Sequence, residues 1–312
     1  MAPSRGGAPR SVPETRTFVD AVFTPRLDNR QGGVTPMVKR ILLGLGGTEF
    51  TASAVRHAIE IAQRYQASVT GVTVIDVEKL EDVGPVPAGA AQWAGELREH
   101  RIKVARKHVA AACDEFVRAC QAAGVRYALL QEQGGAFDLM ISEARYYDLM
   151  IFGLRSLFEY DFVADPCETL VRLVSHGVRP ILAVAPDHRD VRRVLIAYSG
   201  SMESAKSMRR FVQLGLWPDA QCRVVTFQQG ATSEGAALPR NAAEYCRAHG
   251  LHVEEDFVEG PAKPDILGYA AEWGADLIVI GNSARSVILK KVFGDTAKHT
   301  IRLSDRPLFL CQ

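Results

Sequence analysis

Val38-Lys-Arg-Ile-Leu-Leu-Gly-Leu-Gly-Gly-Thr48 recurs as Val191-Arg-Arg-Val-Leu-Ile-Ala-Tyr-Ser-Gly-Ser201, at a constant offset of 153 positions. The register pairs Arg40 with Arg193, Leu42 with Leu195, Gly47 with Gly200, Ala52 with Ala205 and Arg56 with Arg209. Each copy reads as a short apolar strand, a Gly-Ser/Thr turn and the start of an amphipathic helix. Later stretches repeat in the same order. Asp148-Leu-Met-Ile-Phe-Gly153 parallels Asp276-Leu-Ile-Val-Ile-Gly281. Ala164–Leu173 parallels Gly294–Leu303, and Pro180-Ile-Leu-Ala-Val184 parallels Pro307-Leu-Phe-Leu-Cys311. Matches held in one order mark a duplicated domain. The polar stretch Pro186–Asp190 divides the chain into halves at 37–186 and 191–312.

Around these landmarks, the first half predicts strands near 39–45, 68–75, 125–131, 148–153 and 180–185. Helices fall near 51–65, 98–123, 136–145 and 166–176. The second half predicts strands near 192–198, 221–227, 251–258, 276–281 and 307–311. Short β-branched runs alternating with amphipathic helices define βαβ units and a parallel sheet. Several of the strands are apolar nearly throughout, as helices on both sheet faces require. The expected fold is therefore α/β, with two tandem doubly wound, five-stranded domains. Ligands in such sheets bind beyond the strand C-termini, where strand order reverses. Gly46–Gly47 and Gly153 mark that mouth in the first half, and Gly200 and Gly281 mark it in the second.

Composition narrows the function classes. Of the 312 residues, 47% are hydrophobic and 23% charged, with a formal net charge of +1. Such a balance offers no global field for nucleic acid or an anionic membrane. No apolar run reaches the eighteen or so residues of a spanning helix, and the N-terminus lacks a secretory apolar core. A cytoplasmic location is the default expectation. Residues 1–36 hold five prolines and show no helical or strand period, so they read as a disordered extension, or as residues preceding a true start at Met37. The stretch 83–95 reads as a surface loop and a candidate flap.

Cys113, Cys120, Cys167, Cys222, Cys246 and Cys311 form no C-x-x-C pair and no zinc spacing with histidine. They read as buried reduced thiols. The histidines are scattered, none at i, i+4 from another, so no metal site is expected. Ser199 and Ser201 flank Gly200 without a G-x-S-x-G elbow, which argues against a nucleophile.

The opening strand with its turn, the Ala275–Gly281 strand and the loop that follows it resemble the universal stress protein family from residue 37 to 312. The resemblance implies a strand order of 3-2-1-4-5 in each half. It also implies pairing through strand five, so that the two halves form an internal pseudo-dimer; dimerisation of the whole chain is a further expectation. Nucleotide-binding members carry a loop of the form G-x2-G-x9-G-Ser/Thr. In the second half, Gly281 opens that loop, Ala284 stands at the second glycine, Gly294 at the third, and Asp295 at the Ser/Thr position, followed by Thr296. Ser199 replaces the family's strand-one acid. The first half departs further, with Ser156 and Ala164 at the glycine positions, a loop two residues shorter, and Gly46 in place of the acid.

Asp165 and Asp295 stand where an N-cap accepts a backbone N–H and complements the helix dipole, the same donors a phosphate uses. Lys290, Lys291 and Arg285 in the second-half loop are alternative phosphate partners. The expected function is that of a stress-response protein acting by small-ligand sensing or interaction with protein partners, without robust catalysis. Its ligand contacts would come from Ser199, Gly200, Ser201, Gly281, Ala284, Gly294, Asp295 and Thr296. An ATP or AMP sensor in the second half, with slow hydrolysis at most, is the alternative; a thiol-based redox or transfer enzyme is a third.

Overall fold

A computed structural model describes residues 17–21, 37–75, 80–81, 86–87, 89–133, 136–155, 166–176, 178, 180–230, 233–281 and 295–311. The first half contains β2 (Arg40–Gly44), α1 (Thr51–Tyr65), β3 (Ser68–Ile75), α2 (Ala91–Ala123), β4 (Arg126–Gln133), α3 (Ala136–Glu143), β5 (Leu149–Gly153), α4 (Pro166–Ser175) and β6 (Ile181–Val184). The second contains β7 (Arg193–Ala197), α5 (Met202–Leu214), β8 (Gln221–Gln228), α6 (Ser233–Ala248), β9 (His252–Glu259), α7 (Ala262–Trp273), β10 (Leu277–Gly281), α8 (Asp295–Leu303) and β11 (Leu308–Cys311). A further strand, β1 (Thr17–Ala21), precedes both halves.

All strands join one sheet in the order β1-β4-β3-β2-β5-β6-β11-β10-β7-β8-β9. Within each half the neighbours are parallel and follow 3-2-1-4-5. The halves meet through antiparallel β6 and β11, with Leu182 opposite Phe309 and Ala183 opposite Leu308. This pairing explains the continuous apolar character of four strands. β5, β6, β10 and β11 lie in the middle of the sheet and every residue in them is buried. Two bare strand-five edges would be sticky; here each covers the other. β9, at the far edge with β8 as its one partner among the described strands, carries acids and has no buried residue.

The repeat is also visible in its polar contacts. Asp148 Oδ2 accepts the backbone N–H groups of Lys39 and Arg40 at 2.8 and 2.9 Å. Asp276 Oδ2 accepts those of Arg192 and Arg193 at 2.9 and 2.8 Å. One aspartate before strand four thus secures the start of strand one in each half. Across the junction, Arg155 donates to Ser304 O at 2.9 Å, Arg64 donates to Leu216 O at 3.2 Å, and Tyr65 Oη donates to Gly215 O.

Two local expectations differ from the structure. In the segment 1–36, β1 pairs antiparallel with β4, Thr17 opposite Gln131 and Ala21 opposite Tyr127. Five residues are too few to show a period, and the open edge of β4 supplies the pairing. In the stretch 83–95, Ala91 already begins α2, because Ala-Gln-Trp-Ala favours helix after Gly89.

Candidate functional site

β7 ends in Tyr198, and the chain then turns through Ser199, Gly200 and Ser201 into α5. Gly200 has φ +76°, a left-handed conformation that side chains rarely adopt. Ser201 is the N-cap: its Oγ accepts the Ser204 N–H at 3.1 Å. The hydroxyls of Ser199, Ser201 and Ser204 form a cluster. Ser199 Oγ donates to Ser201 Oγ at 3.0 Å, and Ser204 Oγ donates to Ser201 O at 2.9 Å. Ser199 and Gly200 are exposed, whereas Ser204 is buried. Met202, on the rim of this turn, is 67% exposed.

Gly281, at the end of β10, lies directly beneath the first turn of α5. A Cβ there would come within 2.7 Å of Glu203 O and Ser204 Cα. Glycine is what lets strand four and the helix after strand one pack this closely. The structure therefore brings together Ser199, Gly200, Ser201 and Gly281, and adds Ser204, which sequence reading did not single out. Its signal was the S-x-x-S spacing of an N-cap. Asp295 is the first residue of α8, and Thr296 O accepts the Thr300 hydroxyl at 2.8 Å. Among the described residues no hydrogen bond links either to the serine turn. Ala284, Gly294, Arg285, Lys290, Lys291 and Asp165 lie outside the described residues.

The corresponding turn in the first half is packed differently. Gly47 has φ +64°, and a Cβ on it would meet the backbone carbonyl of His108 in α2 at 2.8 Å. At Gly200 the three nearest atoms all belong to the Leu238 side chain, Cδ2 at 2.9 Å first. A helix backbone is fixed by its own hydrogen bonds, whereas a leucine tip can change rotamer. The first-half turn is therefore closed on that side, and the second-half turn is the more adaptable.

A cleft of about 570 Å³ lies elsewhere, lined by Glu60, Arg64, Asp190, Arg192, Trp217 and Asp219 among others. None of the mouth residues borders it. Beside it, His57 and Glu60 of α1 meet His188 of the segment joining the halves. Their candidate ligand atoms all lie within 4.8 Å of one another. Sequence reading expected no such group, because it sought a second histidine at i+4 on the same helix; the partner comes from 128 residues beyond Glu60. His57 is buried, and its Nε2 has no hydrogen-bond partner among the described residues. Burial, then the nearby His188 and Arg56, lower its pKa from 6.5 to about 3.

The described cysteines are all buried, and no disulfide joins them: Cys113, Cys120, Cys222, Cys246 and Cys311. Burial pushes Cys120, Cys222 and Cys246 up to about 12 and raises Cys113 as well. That is the reverse of a reactive thiol's setting. The side chain of Cys167 lies outside the described residues. No described helix is long and apolar enough to cross a membrane.

The chain matches the model of the universal stress protein family over residues 37–176 and 227–312. It is 21% identical over 288 residues to Universal stress protein Slr1230 of Synechocystis sp., covering 87% of this chain and 99% of that protein. Among solved structures, a universal stress protein from Archaeoglobus fulgidus DSM 4304 aligns with a TM-score of 0.58 at 17% identity, covering 89% of this chain and 97% of its own. A functionally unknown protein from Pseudomonas aeruginosa PAO1 aligns at 0.52 and 17%, covering 88% and 92%. At these identities the two structures speak to fold alone. The family match spans well over half of the chain, in both copies of the repeat, and with it the chain belongs to the universal stress protein family.

Proposed function

We propose that this stress protein works by binding a small polar ligand at the mouth of its second half, and through that ligand by contact with protein partners, without robust catalytic turnover. The observation that carries this reading is the contrast between the two turns. The Ser199–Ser204 turn presents an exposed hydroxyl and a helix N-terminus beside a movable leucine, while the Gly47 turn abuts the backbone of His108. Helix N-termini favour anionic or strongly polar groups. Exposed Met202 supplies an apolar rim for a partner.

ATP or AMP, with slow hydrolysis at most, is the second reading, supported by the retained Gly281-to-Gly294 spacing. Asp295 at the head of α8 opposes it, since a carboxylate there competes with phosphate. Thiol chemistry is opposed by the raised cysteine pKa values.

Calorimetric titration of the full chain with ATP, ADP and AMP, each with magnesium, tests the site. One saturable site per chain, lost in Gly200→Val, supports a nucleotide seat in the second half. Two sites, or one that survives Gly200→Val, would place the ligand elsewhere. No heat at millimolar nucleotide removes the nucleotide reading and leaves another polar ligand to be found.

A further inference from the structure

We propose that His57, Glu60 and His188 form a binding site for one divalent transition-metal ion, zinc first among them, at the junction of the two halves. Two imidazoles and a carboxylate are the donor set that zinc and its neighbours take. The positions are close to what coordination needs. His188 Nε2 stands 3.0 Å from Glu60 Oε2, and all three donors fall within 4.8 Å of one another. Tetrahedral bonds of zinc to nitrogen and oxygen separate neighbouring donors by about 3.3 Å. The imidazole rings of His57 and His188 are 4.3 Å apart between centroids and tilted by 36°. Modest rotation of the two rings and of the glutamate brings the three donors onto one ion.

Burial distinguishes this group from a chance surface cluster. His57 is 1% exposed, and its Nε2 is buried with no hydrogen-bond partner among the described residues. A buried polar atom left without a partner costs free energy, and an ion bound through that nitrogen would satisfy it. His188 has a side chain only 9% exposed, while Glu60 at 42% leaves the site open towards solvent. The surrounding contacts orient the donors. Arg56 Nε binds Glu60 Oε1 at 3.1 Å, leaving Oε2 turned to His188. Asp190 Oδ1 lies 3.9 Å from His188 Nδ1, on the ring nitrogen opposite the proposed metal. At that distance the carboxylate makes no hydrogen bond to the ring, but its charge stands on the side of the ring away from the ion.

The local field neither drives nor prevents binding. The negative Glu60 and Asp190 face the positive Arg56 and Arg192, which reach Asp190 at 3.8 and 3.9 Å. Affinity must come from the coordination bonds. Three protein donors leave at least one position for water or a ligand, and Glu60 and Asp190 also border the 570 Å³ cleft. An ion here ties α1 to the segment connecting the halves, so occupancy reports on, and restrains, how the halves are joined.

The test uses the untagged full chain, stripped with a chelator, and titrated with Zn(II) against a chromophoric competitor and with Co(II) by visible absorption. The expected result is one ion per chain, with Co(II) bands of four- or five-coordinate nitrogen and oxygen ligation. His188→Ala and Glu60→Gln leave the core intact, and each lowers affinity; for His188→Ala the loss exceeds the roughly 10- to 100-fold effect of an outer-shell partner. His100→Ala, at an exposed position on α2, leaves affinity unchanged. Failure to take up one equivalent overturns the proposal, as does undiminished uptake by His188→Ala. In either case the cluster is a histidine–carboxylate contact and no more.

Discussion

Replacing Gly281 with alanine places a methyl group 2.7 Å from Glu203 O and Ser204 Cα and 2.8 Å from Glu203 C. All three are backbone atoms in the first turn of α5, so no side-chain rotation relieves the contact. Reaching an ordinary separation needs a shift of about 0.7 Å of the helix start against the strand end. Overpacking of this kind costs about 1–3 kcal/mol. Restricting the unfolded chain returns roughly 0.4–1 kcal/mol. The net expectation is a loss of about 1–2 kcal/mol, together with displacement of the Ser201–Ser204 cap and weaker ligand binding at the mouth. Gly268 provides the opposite case. It is exposed inside α7, with nothing within 4 Å of a Cβ, and its replacement by alanine should stabilise by about 0.5–1 kcal/mol. Urea denaturation followed by tryptophan fluorescence reads both as shifts in midpoint at constant slope. An unchanged or raised midpoint for Gly281→Ala would refute the close packing of β10 under α5, and with it the geometry assigned to the mouth.

Asp148→Ala and Asp276→Ala should each cost about 0.5–1.5 kcal/mol, because each removes a carboxylate acceptor from two exposed backbone N–H groups that water can then satisfy, and equal costs would mark them as equivalent devices. Urea midpoints check this, and a loss in only one half contradicts it. For the thiols, values near 12 leave about one thiolate in ten thousand at pH 8. The Cys167→Ser chain should therefore react very slowly with an aromatic disulfide reagent until unfolded, when all of Cys113, Cys120, Cys222, Cys246 and Cys311 react. Rapid native labelling would reopen the thiol reading. Arg306, donating to Asp305 Oδ1 at 2.8 Å, holds that carboxyl below 3.8. A depressed folded value means stability that is present above the unfolded pKa and lost as pH falls through the folded one, so the small deficit of Asp305→Asn should be constant down to about pH 4 and shrink below it. A deficit that grows in acid would reverse the sign.

Much of the fold was legible because it was written twice. The strands beginning at Arg40 and Arg193 and those ending at Gly153 and Gly281 fall within a residue or two of their expected limits. The apolar runs Ile181–Val184 and Leu308–Cys311 announced a shared edge, and their pairing is what the family resemblance implied; its antiparallel sense comes from the structure. What stayed hidden depended on contacts distant in sequence. β1 has no period of its own and is defined by β4. The difference between the two mouths lies in what stands over Gly47 and Gly200, a helix backbone in one and a leucine tip in the other. The His57–Glu60–His188 group joins α1 to a connecting segment in which no regular pattern exists. Ser199, Gly200, Ser201 and Gly281 were recoverable because they sit at strand C-termini, where the topology itself makes a crevice.

The central claim is that ligand contact is confined to the second half. Hydrogen–deuterium exchange of the full chain, with and without saturating magnesium nucleotide, tests it by position. The account predicts that any slowing on ligand addition falls in peptides covering 198–204 and 277–281, with 46–50 unchanged. Protection at 46–50, or ligand-dependent protection that leaves both second-half segments untouched, would contradict it.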